Sequence, residues 1–304
     1  MKTATAKTTT GVTRINLKKV LYLTDFSEPS EAALPFAAAV AREYGAKVYA
    51  LHVMTPSPLA YTTPESIVPV MEAEEEVARV EMQRADAHLA GIVHEIIVEN
   101  GVSVWPAVER AIKQLGIELI VVGTHGRSGA ERLLLGSVAE EIFRRSSVPV
   151  LTIGPWAARA VHNAAKFHRI LFATDFTKES LAAAPYAISM AQENQARLVL
   201  LHVIRASRHR GDEKHAEQTI ADAMHRLLEI IPADAELWCR PEASVQYGTP
   251  ADTILDLARD RGADLIVMGV RDAVGHLGAA VHIQRATAHQ VVAHALCPVL
   301  TVRG

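Results

Sequence analysis

The fold of this chain follows from the stretch KKVLYLTDFSEPSEAALPFAAAVAREYGAKVYALHVM (18–54), which recurs as HRILFATDFTKESLAAAPYAISMAQENQARLVLLHVI (168–204). The two copies align without a gap and share an aspartate (Asp25 and Asp175), a proline and the tripeptide LHV. An agreement of this length indicates an internal duplication, which has to be recognised before any element is assigned.

The ends of the two halves match as well, since SVPVLTI (147–153) resembles LCPVLTV (296–302). Each half is therefore a full unit. We predict two domains, residues 1–154 and 169–304, joined by a linker over 155–168. A chain of 304 residues with 49% hydrophobic residues is long enough to fill two cores.

Strand and helix patterns alternate within each half. In the first half, short apolar runs predict strands over 19–25, 47–53, 94–98, 118–123 and 148–154. Between them the spacing predicts a helix that starts around Ser27, Pro29 and Glu31 and continues through Tyr44, and further helices over 71–91, 106–115 and 137–145. Continuous apolar strands separated by helices are typical of a parallel sheet covered on both faces. We predict two tandem, doubly wound α/β domains of about five strands each, with a Rossmann-like arrangement.

Composition excludes several classes of protein. The formal net charge of −3 gives no basic excess for a nucleic-acid or membrane surface. No apolar run approaches the length of a membrane span, and the polar N-terminus lacks the apolar core of a signal peptide. Two cysteines provide no disulfide framework. We expect a cytoplasmic protein that binds no nucleic acid and has no membrane span.

The candidate site is the stretch VVGTHGRSGAERLLLGSVAEEIF (121–143), in which Gly123, Gly126 and Gly136 give the spacing G-x2-G-x9-G-S. Glycines at 123 and 126 allow a positive φ and close approach of the backbone, so amides could surround an anion. Gly136 and Ser137 open a helix, whose free N–H groups attract phosphate. The spacing is neither a Walker loop nor a dinucleotide fingerprint. On spacing alone, a plain loop and helix start explain these residues equally well.

Two further strand ends point to the same edge of the sheet. Asp25 ends the first strand and could bond ribose hydroxyls, while the backbone of Val53, at the end of the second strand, could bind the edge of an adenine. Ligands of open α/β sheets bind beyond the carboxyl ends of the strands, where the chain order reverses.

The motifs TDFSEPSEAALPFA, LHV, VVGTHG and LLLGSVAEEIFRRSSVPVLTI together resemble the universal stress protein family in its tandem form. The resemblance covers nearly the whole of both halves. It implies an adenine nucleotide alpha hydrolase-like fold, ATP binding with little or no hydrolysis, and pairing through the last strands. Carried over residue by residue, it implies ATP contacts at Leu23, Thr24, Asp25, Val53, Gly123, Thr124, His125, Gly126, Arg127, Ser128, Gly136, Ser137, Val138 and Ala139.

The second half departs from this pattern. Counted back from Pro298, the positions of Gly136 and Ser137 become Arg285 and Ala286; counted forward from Gly269, Asp272 replaces Gly126. Either alignment changes the phosphate cradle, although Asp175 and Val203 remain. We therefore expect one working ATP site, in the first half.

Other clusters give weaker indications. His209, Asp212 and His215 could be metal ligands, but a solvated loop and helix start explain them better. His289, His294 and Cys297 have no known ligand spacing. The acidic run in 71–89 predicts the solvated face of an amphipathic helix, with a docking surface for a basic partner as the alternative.

We expect a non-catalytic ATP-binding regulator or sensor of the stress response, with Mg²⁺ accompanying the nucleotide. Its halves would pair within one chain through their last strands, 148–153 and 297–302; a homodimer and an unidentified regulatory protein partner are further expectations. Two alternatives stay open. One is a slow ATPase or nucleotidyl-transferring enzyme of the same fold, and the other is binding of an apolar ligand or lipid by the second half.

Overall fold

The computed structural model of the protein describes residues 14–55, 67–124, 135–159, 166–205, 213–233, 235, 238–270 and 279–304. The chain divides into two compact units, which are described separately below. The first unit is Leu17–Ala165 and the second is Lys166–Gly304. Residues 14–16 group with the second unit, where the Ile15 amide donates to the Ser189 hydroxyl (3.1 Å) and Arg14 pairs with Glu193.

The first unit alternates strands and helices along the chain. Its elements are β1 (Lys19–Leu23), α1 (Glu28–Glu31), α2 (Leu34–Tyr44), β2 (Lys47–Met54), α3 (Ile67–His88), β3 (His94–Asn100), α4 (Val104–Leu115), β4 (Leu119–Gly123), α5 (Ser137–Arg145), β5 (Val150–Ile153) and α6 (Pro155–Arg159).

The second unit repeats the series. Its elements are β6 (Arg169–Ala173), α7 (Lys178–Leu181), α8 (Ala184–Asn194), β7 (Arg197–Ile204), α9 (Glu213–Glu229), β8 (Pro241–Tyr247), α10 (Pro250–Arg261), β9 (Leu265–Val270), α11 (Ala279–His294) and β10 (Val299–Arg303).

Both units form parallel sheets with the same strand order. The first runs β3-β2-β1-β4-β5 and the second β8-β7-β6-β9-β10, and every paired strand within a unit is parallel. The order reverses between β1 and β4, and again between β6 and β9. The prediction of a tandem pair of doubly wound parallel sheets is thereby confirmed.

The central strands are buried along nearly their whole length, as expected for sheets with helices on both faces. On one face of the first sheet, Trp105 and Val108 of α4 and Ile142 of α5 pack against Leu21 and Ile120. This packing brings the start of α5 close to the end of β4.

Two predicted elements differ from the structure. The single helix predicted from the start around Ser27 through Tyr44 is two helices, because Pro35 stands in the first turn of α2 and has no N–H to donate to the carbonyl of Glu31. The predicted linker contains the short helix α6 directly after Gly154. Proline at the first position of α6 favours a helix start, a signal that the sequence already carried.

Candidate functional site

A cleft of about 630 Å³ opens at the carboxyl ends of β1, β2 and β4, where the strand order of the first unit reverses. The lining residues are Leu23, Thr24, Asp25, Ser30, Leu51, Val53, Val104, Val122, Gly123, Thr124, Gly136, Ser137, Val138 and Ala139.

All predicted contact residues that the structure describes line this one cleft: Leu23, Thr24, Asp25, Val53, Gly123, Thr124, Gly136, Ser137, Val138 and Ala139. The other four, His125, Gly126, Arg127 and Ser128, lie outside the described residues. Sequence reasoning missed Ser30, Leu51, Val104 and Val122. Leu51 and Val122 stand just before predicted strand ends, which was the available signal for them.

Helix α5 begins at the cleft without a side-chain cap. Its N-cap residue is Gly136, which has no side chain to accept from the first amides of the helix, and Ser137, Val138 and Ala139 of the first turn line the cleft. The amide of Gly136 donates to the carbonyl of Thr124 (2.7 Å), so the loop between them returns to the strand end where it started. Uncapped amides and the positive end of the helix dipole make this a favourable place for an anion.

Gly123 has a different role from the one predicted. It belongs to β4 and is not among the residues with a positive φ, so the expectation of a left-handed backbone there is wrong. The glycine is needed because α1 packs on it: a Cβ atom would stand 2.6 Å from the carbonyl oxygen of Pro29 and 2.8 Å from the amide nitrogen of Ser30. The same holds in the second unit, where a Cβ on Gly269 would stand 2.2 Å from the carbonyl oxygen of Glu179.

Asp25 holds the turn that leads into α1. One of its carboxylate oxygens, Oδ1, accepts from the backbone amide of Ser27 (3.1 Å) and from the Ser27 hydroxyl (2.5 Å). Asp175 makes the same bonds to Thr177, at 3.0 and 2.6 Å. An aspartate at this strand end thus has a structural role in both units, and its presence alone does not identify a ligand site.

Behind Asp25 a buried polar network fixes the strand end. The hydroxyl of Thr24 accepts from the Phe26 amide (3.0 Å) and contacts the Ser30 hydroxyl, while the His52 ring bonds the Thr24 carbonyl (2.9 Å). The Tyr22 hydroxyl donates to the Ser30 carbonyl (3.0 Å), and burial raises the pKa of Tyr22, so it stays a neutral donor. These bonds hold one wall of the cleft rigid.

The backbone of Val53 faces the cleft. Alternate residues of a parallel strand bond to opposite neighbours. On β2, Val48 and Met54 bond towards β3, through the carbonyl of Val93 and the amide of Gly101, whereas Leu51 accepts from Thr24 on the β1 side. Val53, two residues after Leu51, directs its amide and carbonyl to that same side, beyond the last residue of β1. Its peptide groups are therefore available to a flat, polar ring edge.

The equivalent helix of the second unit begins much earlier. Helices α5 and α11 end at equivalent residues, Arg145 and His294, when both are counted back from the prolines before β5 and β10. Helix α11, however, has 16 residues and α5 has 9. Arg285, the counterpart of Gly136, consequently lies inside a helix, where backbone amides already have partners. The first unit presents a helix N-terminus at this position and the second does not.

No other cluster of ligating side chains forms in the described part of the chain. No group of three or more His, Cys, Asp or Glu is placed to hold a metal ion there. His209 and Asp212 lie outside the described residues, and the side chain of His215 is not described. The two cysteines are free and buried, and burial raises their pKa, to about 11 for Cys239 and about 12 for Cys297.

Among the described residues, no helix is long and apolar enough to cross a membrane.

Comparison with known proteins gives one consistent family. The sequence profile of the universal stress protein family matches residues 16–154 and again 166–303. A universal stress protein of Methanocaldococcus jannaschii is 35% identical over 140 residues, which cover 45% of this chain and 81% of that protein.

Solved structures agree with the sequence match. A crystal structure of a universal stress protein from Archaeoglobus fulgidus has 26% identity and a TM-score of 0.65, covering 94% of this chain and 96% of that one. Another matching universal stress protein was solved in complex with cAMP. That protein is 20% identical, covers 45% of this chain and has a TM-score of 0.35. At this level of similarity its ligand carries no argument about this chain. Because the family profile covers nearly the whole chain in two consecutive copies, the protein belongs to the universal stress protein family and carries two of its domains in tandem.

Proposed function

We propose that the first unit binds ATP, accompanied by Mg²⁺, and that the protein acts as a non-catalytic regulator or sensor in the cytoplasm. The observation that carries the proposal is the uncapped start of α5 at a cleft lined by every described residue that the motif predicts. The first-turn amides supply donors for phosphate oxygens without a competing side chain. Under the same proposal the domain boundaries stay at 1–154 and 169–304.

The apolar part of the cleft suits the adenine ring. Leu51, Val53 and Val104 line the cleft on the β2 side, opposite α5, and offer contacts to the faces of a planar ring. The peptide groups of Val53, beyond the end of β1, can bond the ring edge, and Asp25 stands between this pocket and the helix start, where a ribose would lie. An adenine nucleotide fits this order of apolar, acidic and amide-rich surfaces.

Under the proposal the first unit binds the nucleotide without catalysis. Among the described lining residues, Asp25 is the only titratable side chain, and its Oδ1 is already bonded to Ser27. A general base needs an available proton acceptor beside the attacking water, and Mg²⁺-dependent hydrolysis usually needs further carboxylates around the metal. Turnover should therefore stay well below the roughly 1 per second that marks the lower end of ordinary enzymes.

Calorimetric titration of the full chain with ATP tests the proposal. One site per chain is expected. Gly136→Asp should cost little stability, because an aspartate caps α5 at least as well as glycine, but it should weaken ATP binding at least about tenfold by placing a carboxylate against phosphate. The matched pair Asp25→Asn and Asp175→Asn keeps an oxygen acceptor for the turn in each unit, and only Asp25→Asn should reduce affinity.

Three outcomes would contradict the proposal. Two equal ATP sites per chain would contradict the asymmetry between the units. An unchanged ATP affinity in Gly136→Asp would show that the start of α5 is not part of the site. Hydrolysis of ATP to ADP that Asp25→Asn abolishes would instead support the ATPase. Mass spectrometry of the purified protein is an independent check, because a lipid carried through purification would favour an apolar ligand in the second unit.

A further inference from the structure

A second recess lies in the second unit, at the amino ends of β6, β7 and β8. Its walls are rich in guanidinium groups. Lining it are Arg169, Arg197, Arg240 and Arg261, the acidic residues Glu242 and Asp260, and the apolar residues Val199 and Pro241. With four cationic and two anionic side chains, the recess carries a formal net charge of +2.

Three of these arginines stand side by side on neighbouring strands. Arg169 and Arg197 are the first residues of β6 and β7 and are direct partners in the register. Leu198 pairs with Pro241, which places Arg240 beside Arg197. Neighbouring strands are about 4.8 Å apart, so a row of like charges at this spacing repels itself unless an anion is present.

The acidic residue Glu242 of the recess is engaged by Arg261, outside this row. Arg261 pairs with Glu242 (2.7 Å), and the Arg169 guanidinium donates to the carbonyl of Arg261 (3.3 Å). Within the described residues, Arg197 and Arg240 form no ion pair. Both are exposed at the surface of the recess, so their donors are available to a ligand.

The first unit uses the same edge differently. At the positions of Arg169 and Arg197 it has Lys19 and Lys47, and both are already engaged: Lys19 donates to the carbonyl of Leu115 (2.5 Å) and Lys47 pairs with Glu95 (2.7 Å). At the positions of Arg240 and Arg261 the first unit has the apolar residues Val93 and Leu115. The duplicated fold thus provides its own reference, in which these four arginines are replaced by two engaged lysines and two apolar residues, and the excess of arginine is specific to the second unit.

We propose that this recess binds a phosphorylated anion that carries two or more phosphate groups. Arginine presents planar, forked donors that match phosphate oxygens in pairs, a geometry that lysine does not offer. A row of three guanidiniums is suited to successive phosphates more than to a single one. The site lies on a different unit from the proposed ATP cleft, so it can be tested independently of the proposed function.

Inorganic tripolyphosphate is the probe, titrated into the full chain with Gly136→Asp present, because a carboxylate at the start of α5 keeps phosphate out of the first-unit cleft. Arg197→Gln should weaken binding by about tenfold, since a charged hydrogen bond to phosphate is lost. Arg240→Val, which installs the residue of the first unit, should have a similar effect. Lys47→Gln at the first-unit edge is the matched control and should leave the affinity unchanged. Thermal unfolding midpoints equal to those of the parent show that each variant is folded.

Tripolyphosphate affinity that is the same in both arginine variants as in the parent would overturn the proposal. So would equal loss of affinity in Lys47→Gln, because the effect would then reflect net charge alone. If poly-glutamate at equal charge concentration displaces tripolyphosphate, the ligand class of the recess is an acidic peptide and not a phosphorylated anion. We expect the parent protein to bind tripolyphosphate even in about 0.15 M salt. Exposed ion pairs that rest on charge alone are screened at this ionic strength, so binding under these conditions indicates specific contacts to phosphate.

Discussion

Gly123 and Gly269 show how one residue of a ligand motif is kept for packing. Gly123 is the last residue of β4 and Gly269 the last but one of β9, and a Cβ atom on either would enter the backbone of the short helix that follows the first strand of its unit. This explains why the second half retains the first glycine of the motif while its later positions change. The motif therefore contains one glycine that the fold needs and a later one, Gly136, whose φ of −59° is open to any residue.

We predict that Gly123→Ala lowers the free energy of unfolding by about 1–3 kcal/mol, the usual cost of forcing an extra carbon into a packed interior. Gly269→Ala should do the same in the second unit. Gly136→Ala should cost less than about 1 kcal/mol, because the backbone there suits alanine. Urea unfolding of the three variants is the measurement, and equal stability of all three would refute the packing role.

Gln195 carries backbone strain that its counterpart avoids. It ends α8 with a φ of 52°, whereas Gly45 ends α2 with a φ of 60°. A left-handed residue at a helix end favours glycine, which has no Cβ to collide with the neighbouring carbonyl.

We predict that Gln195→Gly raises the free energy of unfolding by about 0.5–1 kcal/mol and that Gly45→Gln lowers it by a similar amount. Denaturant unfolding measures both. A loss of stability in Gln195→Gly would mean that the glutamine side chain contributes contacts that outweigh the strain.

At the scale of elements, strands were easier to predict than helix starts. Apolar runs mark β1, β2 and β4 because parallel strands covered on both faces have no polar side to interrupt the pattern. The break between α1 and α2 was missed, since alanines on either side fit a continuous helix and only the missing N–H of Pro35 ends it.

The candidate site was predictable for a related reason. Strand ends and a glycine before a helix are visible in sequence, so Asp25, Val53 and Gly136 could be named in advance. The early start of α11 could not be predicted from these positions, because that helix begins several residues before the part of the motif that changes. The second unit lacks a helix N-terminus at the position of Gly136 mainly because α11 starts early. The replacement of Gly136 and Ser137 by Arg285 and Ala286 matters less.

One contact between elements should make stability depend on pH. His94 of β3 bonds the Ile92 carbonyl through Nδ1 (2.7 Å) and the Asp86 carboxylate of α3 through Nε2 (2.8 Å). Both partners accept from the protonated ring, and these bonds, with Ile92 the larger cause, raise the pKa of His94 above its ordinary value of 6.5. A raised folded pKa stabilises the fold fully below the unfolded value, and the contribution is lost as pH rises through the raised pKa.

His94→Gln should therefore lower the free energy of unfolding more at about pH 5.5 than at about pH 9. Chemical denaturation at both values gives the comparison. Asp86→Asn, which removes one of the two causes, should reduce the pH dependence without abolishing it. A His94→Gln effect that is constant across this range would show that the ring acts through its shape alone.

At the scale of the whole molecule, the last strand of each unit stands at the end of that unit's own strand order. In the first unit β5 pairs with β4, and in the second β10 pairs with β9. Short apolar strands at the ends of sheets associate readily with other strands, and two copies of one fold can do so about a twofold axis. We predict that the two units pair through these last strands.

A protease site inserted between residues 160 and 165 tests this pairing in the folded chain. After cleavage the two fragments should still elute together in size-exclusion chromatography, because paired strands hold them without the covalent link. Residues 14–16 also pack on the second unit and could hold the fragments together. The cleavage is therefore repeated on a chain that begins at Leu17, and continued co-elution attributes the association to the strands. Separation of that shorter chain into two folded fragments would assign the coupling to the N-terminal residues and reject pairing through β5 and β10.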